Sequence, residues 1–184
     1  QRLIEPIARL LWSLGLTPNV VTVLGFAMTA AVAVVLAQGQ VRLAGVLLIV
    51  ALGADAIDGS LARMMGAITR FGAFLDSTLD RWAEVLIYGA LVWFHLKTDQ
   101  DLPVLLATAA MAASLLVSYT RARAEGVGLQ CKEGLFTRFE RLVILICGMI
   151  LGQIVAALWI ISVLATFTAV QRIWVTWRAD QAVR

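Results

Sequence analysis

Apolar stretches of roughly membrane-crossing length follow one another along this chain, and no other feature limits its fold so strongly. They lie at 20–37, 43–65, 71–94, 103–122, 139–152 and 155–177, with only Gln153 and Ile154 between the last two. Crossing the ~30 Å hydrocarbon core takes about 20 apolar residues of helix, and lipid forces each segment to pair its own backbone polar groups. Six such stretches predict an all-α integral membrane protein with six transmembrane helices. Composition agrees: of 184 residues 61% are hydrophobic and 15% charged, whereas a soluble domain is about a quarter charged. Mean hydropathy is +0.88. No stretch reads as strand or as a separate soluble domain, so 1–184 is read as one membrane domain with its bundle at 18–177.

Ahead of the first span, Arg2, Glu5, Arg9 and Ser13 share one helical stripe while Leu3, Ile4, Ile7, Leu10, Leu11 and Leu14 fill the opposite face. That pattern predicts an amphipathic interfacial helix over 2–14, ended by Gly15 and Pro18. Six spans put both termini on one side, which then carries Arg2, Arg9, Arg63, Arg70, Arg121, Arg123, Lys132, Arg138, Arg141, Arg172, Arg178 and Arg184; the other side carries Arg42 and Lys97. The positive-inside rule therefore predicts a multi-pass protein of the cell membrane with cytoplasmic termini. Trp12, Trp82, Trp174 and Trp177 fall toward the inner face, and Trp93 and Trp159 toward the outer one. Cys131 and Cys147 are too far apart for a paired motif and read as packing residues. His95 alone cannot build a zinc site. No nucleic-acid partner is expected. The chain begins at Gln1 rather than Met, so residues are expected before it.

Four aspartates stand where lipid forbids them. Asp55 and Asp58 interrupt the second span, Asp76 and Asp80 the third. A carboxylate near mid-bilayer costs about 2.5–3.5 kcal/mol or more, so it needs a partner, a cation or a water-filled cavity. Ion pairs to Arg63, Arg70 and Arg81 are the plain alternative, but an interfacial arginine gains more by snorkelling outward. Spacings of three and four put each aspartate pair on one helix face. The two helices turn near residues 66 and 67, and the midpoints of Asp58 with Asp76 and of Asp55 with Asp80 both fall there. Antiparallel helices then bring all four to one depth, roughly 13 Å from the cytoplasmic end.

Carboxylates converging at one level repel unless cations neutralise them. An all-oxygen donor set favours Mg²⁺ or Mn²⁺, and two such ions sharing a site sit about 3.5–4 Å apart. Gly59 and Gly72 remove side chains where a ligand or a neighbouring backbone comes close, and Arg63 lies well for a phosphate at the cavity mouth. The chemistry this predicts is phosphoryl-group transfer. An ion or proton transporter also keeps carboxylates at mid-membrane. That reading lacks inverted repeats and leaves Gly59, Ala62, Arg63 and Gly72 unexplained.

Written out, these residues are Asp55-x-x-Asp58-Gly59-x-x-Ala62-Arg63, eight residues, then Gly72-x-x-x-Asp76-x-x-x-Asp80. The pattern resembles the signature of the CDP-alcohol phosphotransferase family at every fixed position, and Thr17-Pro18-Asn19-x-x-Thr22 is similar to that family's first span. The resemblance implies that Asp55, Asp58 and Asp76 hold one divalent cation, that Asp76 and Asp80 share a second, and that Asp80 is also the general base. It implies that Asn19, Gly59, Ala62, Arg63 and Gly72 contact the CDP group of a CDP-linked lipid, CDP-diacylglycerol or CDP-archaeol. Glu84, one turn beyond Asp80, reads as a brace rather than a ligand. A homodimer among membrane lipids and an active site open to the cytoplasm are further implications.

The acceptor alcohol should be met by the basic stretches around Arg121 and Arg138. Positive-inside topology explains some of these charges, but Arg141 and Arg172 lie inside the starts and ends of spans rather than in loops. Several guanidiniums suit an acceptor that itself carries a phosphate. The segments resemble those of phosphatidylinositol-phosphate and archaetidylinositol-phosphate synthases. That resemblance implies an acceptor-phosphate pocket of Arg121, Arg138, Arg141 and Arg172, with inositol phosphate as the acceptor. Glycerol 3-phosphate is the next reading, then serine or another alcohol.

Overall fold

The computed structural model describes residues 17–64, 69–129, 131 and 134–183, with the side chains of 54–64, 182 and 183 outside the description. Six helices follow in order: α1 (Pro18–Ala37), α2 (Val41–Met64), α3 (Arg70–Lys97), α4 (Asp101–Gly126), α5 (Arg138–Leu151) and α6 (Ile154–Val183). Among the described residues there is no strand. Each apolar stretch read from the sequence has its helix. The expected interfacial helix at 2–14 and the hairpin turn at 66–67 lie outside the described residues.

Local chemistry sets the ends. Pro18 starts α1, where its missing N–H costs nothing. Gly39, at φ 88°, turns the chain between α1 and α2 within three residues. Gly152, at φ 71°, ends α5 in the left-handed conformation, and the next amide, of Gln153, donates to the Gly148 carbonyl at 2.8 Å. This is the tight α5–α6 turn. At the start of α5 the Glu140 carboxylate reaches back to the Thr137 amide at 2.8 Å, one arm of a capping box.

α1, α4 and α6 are long and apolar enough to cross a membrane, and the first part of α2 (Val41–Gly53) is a shorter apolar helix. The rest of α2 and the first half of α3 carry the aspartates and arginines, which lower their apolar content. α5 has 14 residues, about 21 Å of helix against a core of ~30 Å.

The chain divides into two compact units, 1–90 and 91–184. In the first, α1 and α2 pack as an antiparallel pair, with Val32, Leu36, Ala44 and Leu48 buried. In the second, α6 packs against both α4 and α5. The α4–α6 seam is built of small residues. Ala107, Ala110 and Ser114 are fully buried, as are Ala165 and Thr168, and Ser162 donates across to the Leu106 carbonyl at 3.2 Å. Large apolar side chains, among them Leu105, Phe167, Val170 and Ile173, are exposed instead. Leu106, Val117, Leu158 and Ile161 are also buried on these helices, but small residues at a helix seam are what lipid favours, because close backbone approach joins the helices there. Cys131 is buried as expected, but Cys147 is exposed on α5 and is not a packing residue of this chain. His95 is buried, its Nδ1 3.0 Å from Gln100 Oε1 across the α3–α4 turn.

Candidate active site

The first unit holds the residues expected to meet metal and nucleotide. Asp55, Asp58, Gly59, Ala62 and Arg63 lie on the helical backbone of α2, and their side chains fall outside the described residues. Asp76 and Asp80 lie one turn apart on α3 and are partly buried. Among the described residues no three His, Cys, Asp or Glu side chains form a metal-binding group; of the four expected ligands only these two are described. Two carboxylates in step on a half-buried helix face supply the hard oxygen donors that Mg²⁺ or Mn²⁺ prefers, so the described residues fit such an ion. Arg81 approaches Asp80 at 3.4 Å, longer than the 2.7–2.9 Å or so of a tight charge-assisted bond. One turn on, Glu84 is 4% exposed, buried as a brace would be.

Asn19 and Gly72, far apart in sequence, meet in this unit. A Cβ built on Gly72 would stand 3.0 Å from Asn19 Oδ1 and 2.9 Å from Thr69 Oγ1. The beginnings of α1 and α3 are therefore side by side, and Gly72 is glycine because space there is lacking. Thr69, which the sequence reading passed over, accepts the Gly72 amide at 2.9 Å and caps α3. A threonine three residues before a required glycine was the available signal.

The second unit holds the arginines expected at the acceptor, and the structure sorts them. Arg141 is 1% exposed in the first turn of α5, with Nη1 donating to the Phe136 carbonyl at 3.4 Å. Arg172 is 5% exposed on α6, with Nη1 donating to the Val117 carbonyl of α4. Both guanidiniums are thus built into the unit. Arg138, at the first position of α5, is partly buried. Arg121 differs: its side chain is 53% exposed and pairs with Glu125 one turn on, at 2.9 Å. The segment before α5 closes over Arg172. Gly134 packs against its guanidinium, and the Leu135 amide donates to Gln171 Oε1 at 3.4 Å. Nothing in the sequence pattern marked Gly134.

The CDP-alcohol phosphatidyltransferase pattern matches residues 15–179. The chain belongs to that family. Among its CDP-alcohol phosphatidyltransferase relatives, the phosphatidylinositol phosphate synthase of Mycobacterium tuberculosis is 35% identical, over 99% of this chain and 89% of its own. That of Corynebacterium glutamicum is 37% identical, over 94% and 83%. An uncharacterised protein of Aquifex aeolicus is 36% identical, over 100% and 94%. The crystal structure of the M. tuberculosis phosphatidylinositol phosphate synthase with CDP-DAG bound matches with a TM-score of 0.92 at 33% identity, covering 100% of this chain and 98% of that one. The same enzyme in complex with manganese and citrate matches with a TM-score of 0.92 at 32% identity, covering 98% and 92%.

Proposed function

We propose that this chain transfers the phosphatidyl group of a CDP-linked lipid to inositol phosphate and releases CMP. Membership of the CDP-alcohol phosphatidyltransferase family supports the reaction class, and phosphatidylinositol phosphate synthases among the relatives support the acceptor. The observation that carries the acceptor reading is the burial of Arg141 and Arg172, at 1% and 5% exposure. Topology asks only that cationic heads lie on one side, and does not ask that they be enclosed by protein as these two are. A buried guanidinium presents a planar fork that matches phosphate oxygens.

On this reading Asp55, Asp58, Asp76 and Asp80 hold two divalent cations, Mg²⁺ or Mn²⁺. When bound, the ions supply positive charge that offsets the negative charge building on the phosphates. The chain's own residues do the rest. Asn19, Gly59, Ala62, Arg63 and Gly72 grip the CDP group and orient its lipid-side phosphorus. Asp80 takes the proton from the acceptor hydroxyl, and that oxygen forms the new bond to phosphorus as the bond to CMP breaks. Arg141 and Arg172, with Arg138 and the more exposed Arg121, hold the acceptor's own phosphate.

The membrane setting follows the same proposal. All six helices cross, with both termini and the catalytic aspartates toward the cytoplasm and 2–14 lying in the interface as part of one domain. The short α5 crosses where its polar first turn, from Arg138 to Arg141, opens toward water and the bilayer thins to meet it. The chain works as a homodimer. The direct test is an acceptor panel, with purified protein, Mg²⁺, CDP-diacylglycerol and each alcohol in turn, reading CMP. Inositol phosphate should be consumed fastest, and faster turnover with glycerol 3-phosphate or with any unphosphorylated alcohol would refute the acceptor assignment.

A further inference from the structure

The fit between Gly134 and Arg172 carries more than packing. A Cβ built on Gly134 would stand 2.7 Å from Arg172 Nη2, 2.8 Å from Nε and 3.1 Å from Cζ. A guanidinium is flat, with Cζ at its centre. A point nearly equidistant from two of its nitrogens and farther from the central carbon lies off the outer edge, between the Nε–H and Nη2–H donors. Gly134 thus backs onto the two-donor edge of Arg172, while Nη1 is tied to the Val117 carbonyl on α4. The head group is located from two directions at once. The only side chain at position 134 compatible with this placement is none.

The requirement at 134 is space against one guanidinium. The segment carrying it is held to α6 by the Leu135 amide on Gln171 Oε1, next in sequence to Arg172, so strap and arginine are registered to the same turn of helix.

We propose that Gly134 is a positioning residue for the acceptor substrate: by omitting a side chain at the Nε/Nη2 edge, it sets where the Arg172 guanidinium presents its other, Nη1/Nη2 edge to a phosphate-bearing acceptor. The proposal rests on the acceptor-phosphate role of Arg172 given above. An added methyl would meet the far end of a flexible side chain, which can swing aside. Gly134→Ala should therefore leave the fold standing while it moves the guanidinium off its mark.

The experiment measures KM for inositol phosphate and for CDP-diacylglycerol, and kcat, in the full-length protein and its Gly134→Ala, Arg172→Gln, Gly134→Ala/Arg172→Gln and Gln171→Leu variants. A displaced charged contact forfeits much of a roughly ten- to hundredfold effect. Gly134→Ala should thus raise the acceptor KM about tenfold and leave the CDP-diacylglycerol KM within about twofold. Gln171→Leu, which only loosens the strap, should raise the acceptor KM about two- to threefold. In the double variant Gly134→Ala should add nothing, because residues acting through one another are not additive. An unchanged acceptor KM in Gly134→Ala, equal rises for both substrates, or full additivity with Arg172→Gln would each overturn the proposal. Should Gly134→Ala not fold, an acceptor KM unmoved by Gln171→Leu would overturn it alone. If Arg172→Gln itself leaves the acceptor KM unchanged, the acceptor reading of Arg172 has failed, a result distinct from failure of the Gly134 role.

Discussion

Replacing Arg141 with Gln separates a substrate-binding arginine from one that only orients the protein. Arg141 is 1% exposed, an enclosure by protein that a purely topological charge does not need. Its bond to the Phe136 carbonyl is 3.4 Å, beyond the usual 2.7–3.2 Å or so. That bond therefore contributes at the low end of the usual net range, about 0.5 kcal/mol. A charge-assisted bond to a phosphate contributes about 1.5–3 kcal/mol. At about 1.4 kcal/mol per decade, losing it raises the acceptor KM roughly ten- to a hundredfold, while the CDP-lipid KM barely moves. Arg178→Gln is the comparison, because Arg178 is exposed and lies over the Trp174 ring at 3.8 Å, a contact worth about 0.5–1 kcal/mol to anchoring and nothing to the acceptor. Arg121→Gln should fall between, below about tenfold, since exposed contacts are weak and Glu125 already engages this arginine. The assay follows CMP release from protein in lipid nanodiscs with saturating CDP-diacylglycerol and varied inositol phosphate. Equal, small changes at Arg121, Arg141 and Arg178 would refute the reasoning.

Excess EDTA should abolish turnover and Mg²⁺ or Mn²⁺ should restore it, with Asp76→Asn needing more metal for half-maximal rate; full activity in EDTA would end the two-cation reading. Asp80→Asn should lose at least about a hundredfold in kcat, the usual minimum worth of a placed general base, while CDP-lipid binding weakens much less. A parallel fall in both would make Asp80 chiefly a ligand. Gly72→Ala should raise the CDP-lipid KM and spare the acceptor KM, because the added methyl must push apart Asn19 and Thr69, 3.0 and 2.9 Å from its position; the reverse pattern in steady-state kinetics would remove Gly72 from the nucleotide side.

Much of the fold was legible because lipid leaves a chain few choices. A long apolar stretch has to be helix, and helix ends fall where Pro18, Gly39 and Gly152 set them. Span edges were less legible. α3 runs to Lys97 and α6 to Val183, beyond the apolar stretches, because a helix continues into the interface as long as its polar residues meet water there. The aspartates stood out for the opposite reason: charge in an apolar stretch is costly enough to need a cause.

Loop geometry was not legible, and the arginines show why. Arg121, Arg138, Arg141, Arg172 and Arg178 all lie near ends of apolar stretches that the positive-inside rule assigns to one side, and that rule accounts for any of them equally well. Sequence position fixes how far along a helix a residue lies; which way it faces depends on what packs there. Arg172 is buried because α6 turns that side toward Val117 of α4, and because the segment before α5 comes back over it with a glycine at the point of contact. Arg178, six residues later on the same helix, turns outward onto Trp174. Both arginines satisfy the same charge rule, yet only Arg172 is enclosed by backbone on two sides. Enclosure costs a guanidinium its water, so the acceptor-phosphate role proposed for Arg141 and Arg172 predicts a larger loss on their replacement than on replacement of Arg178, which pays no such cost.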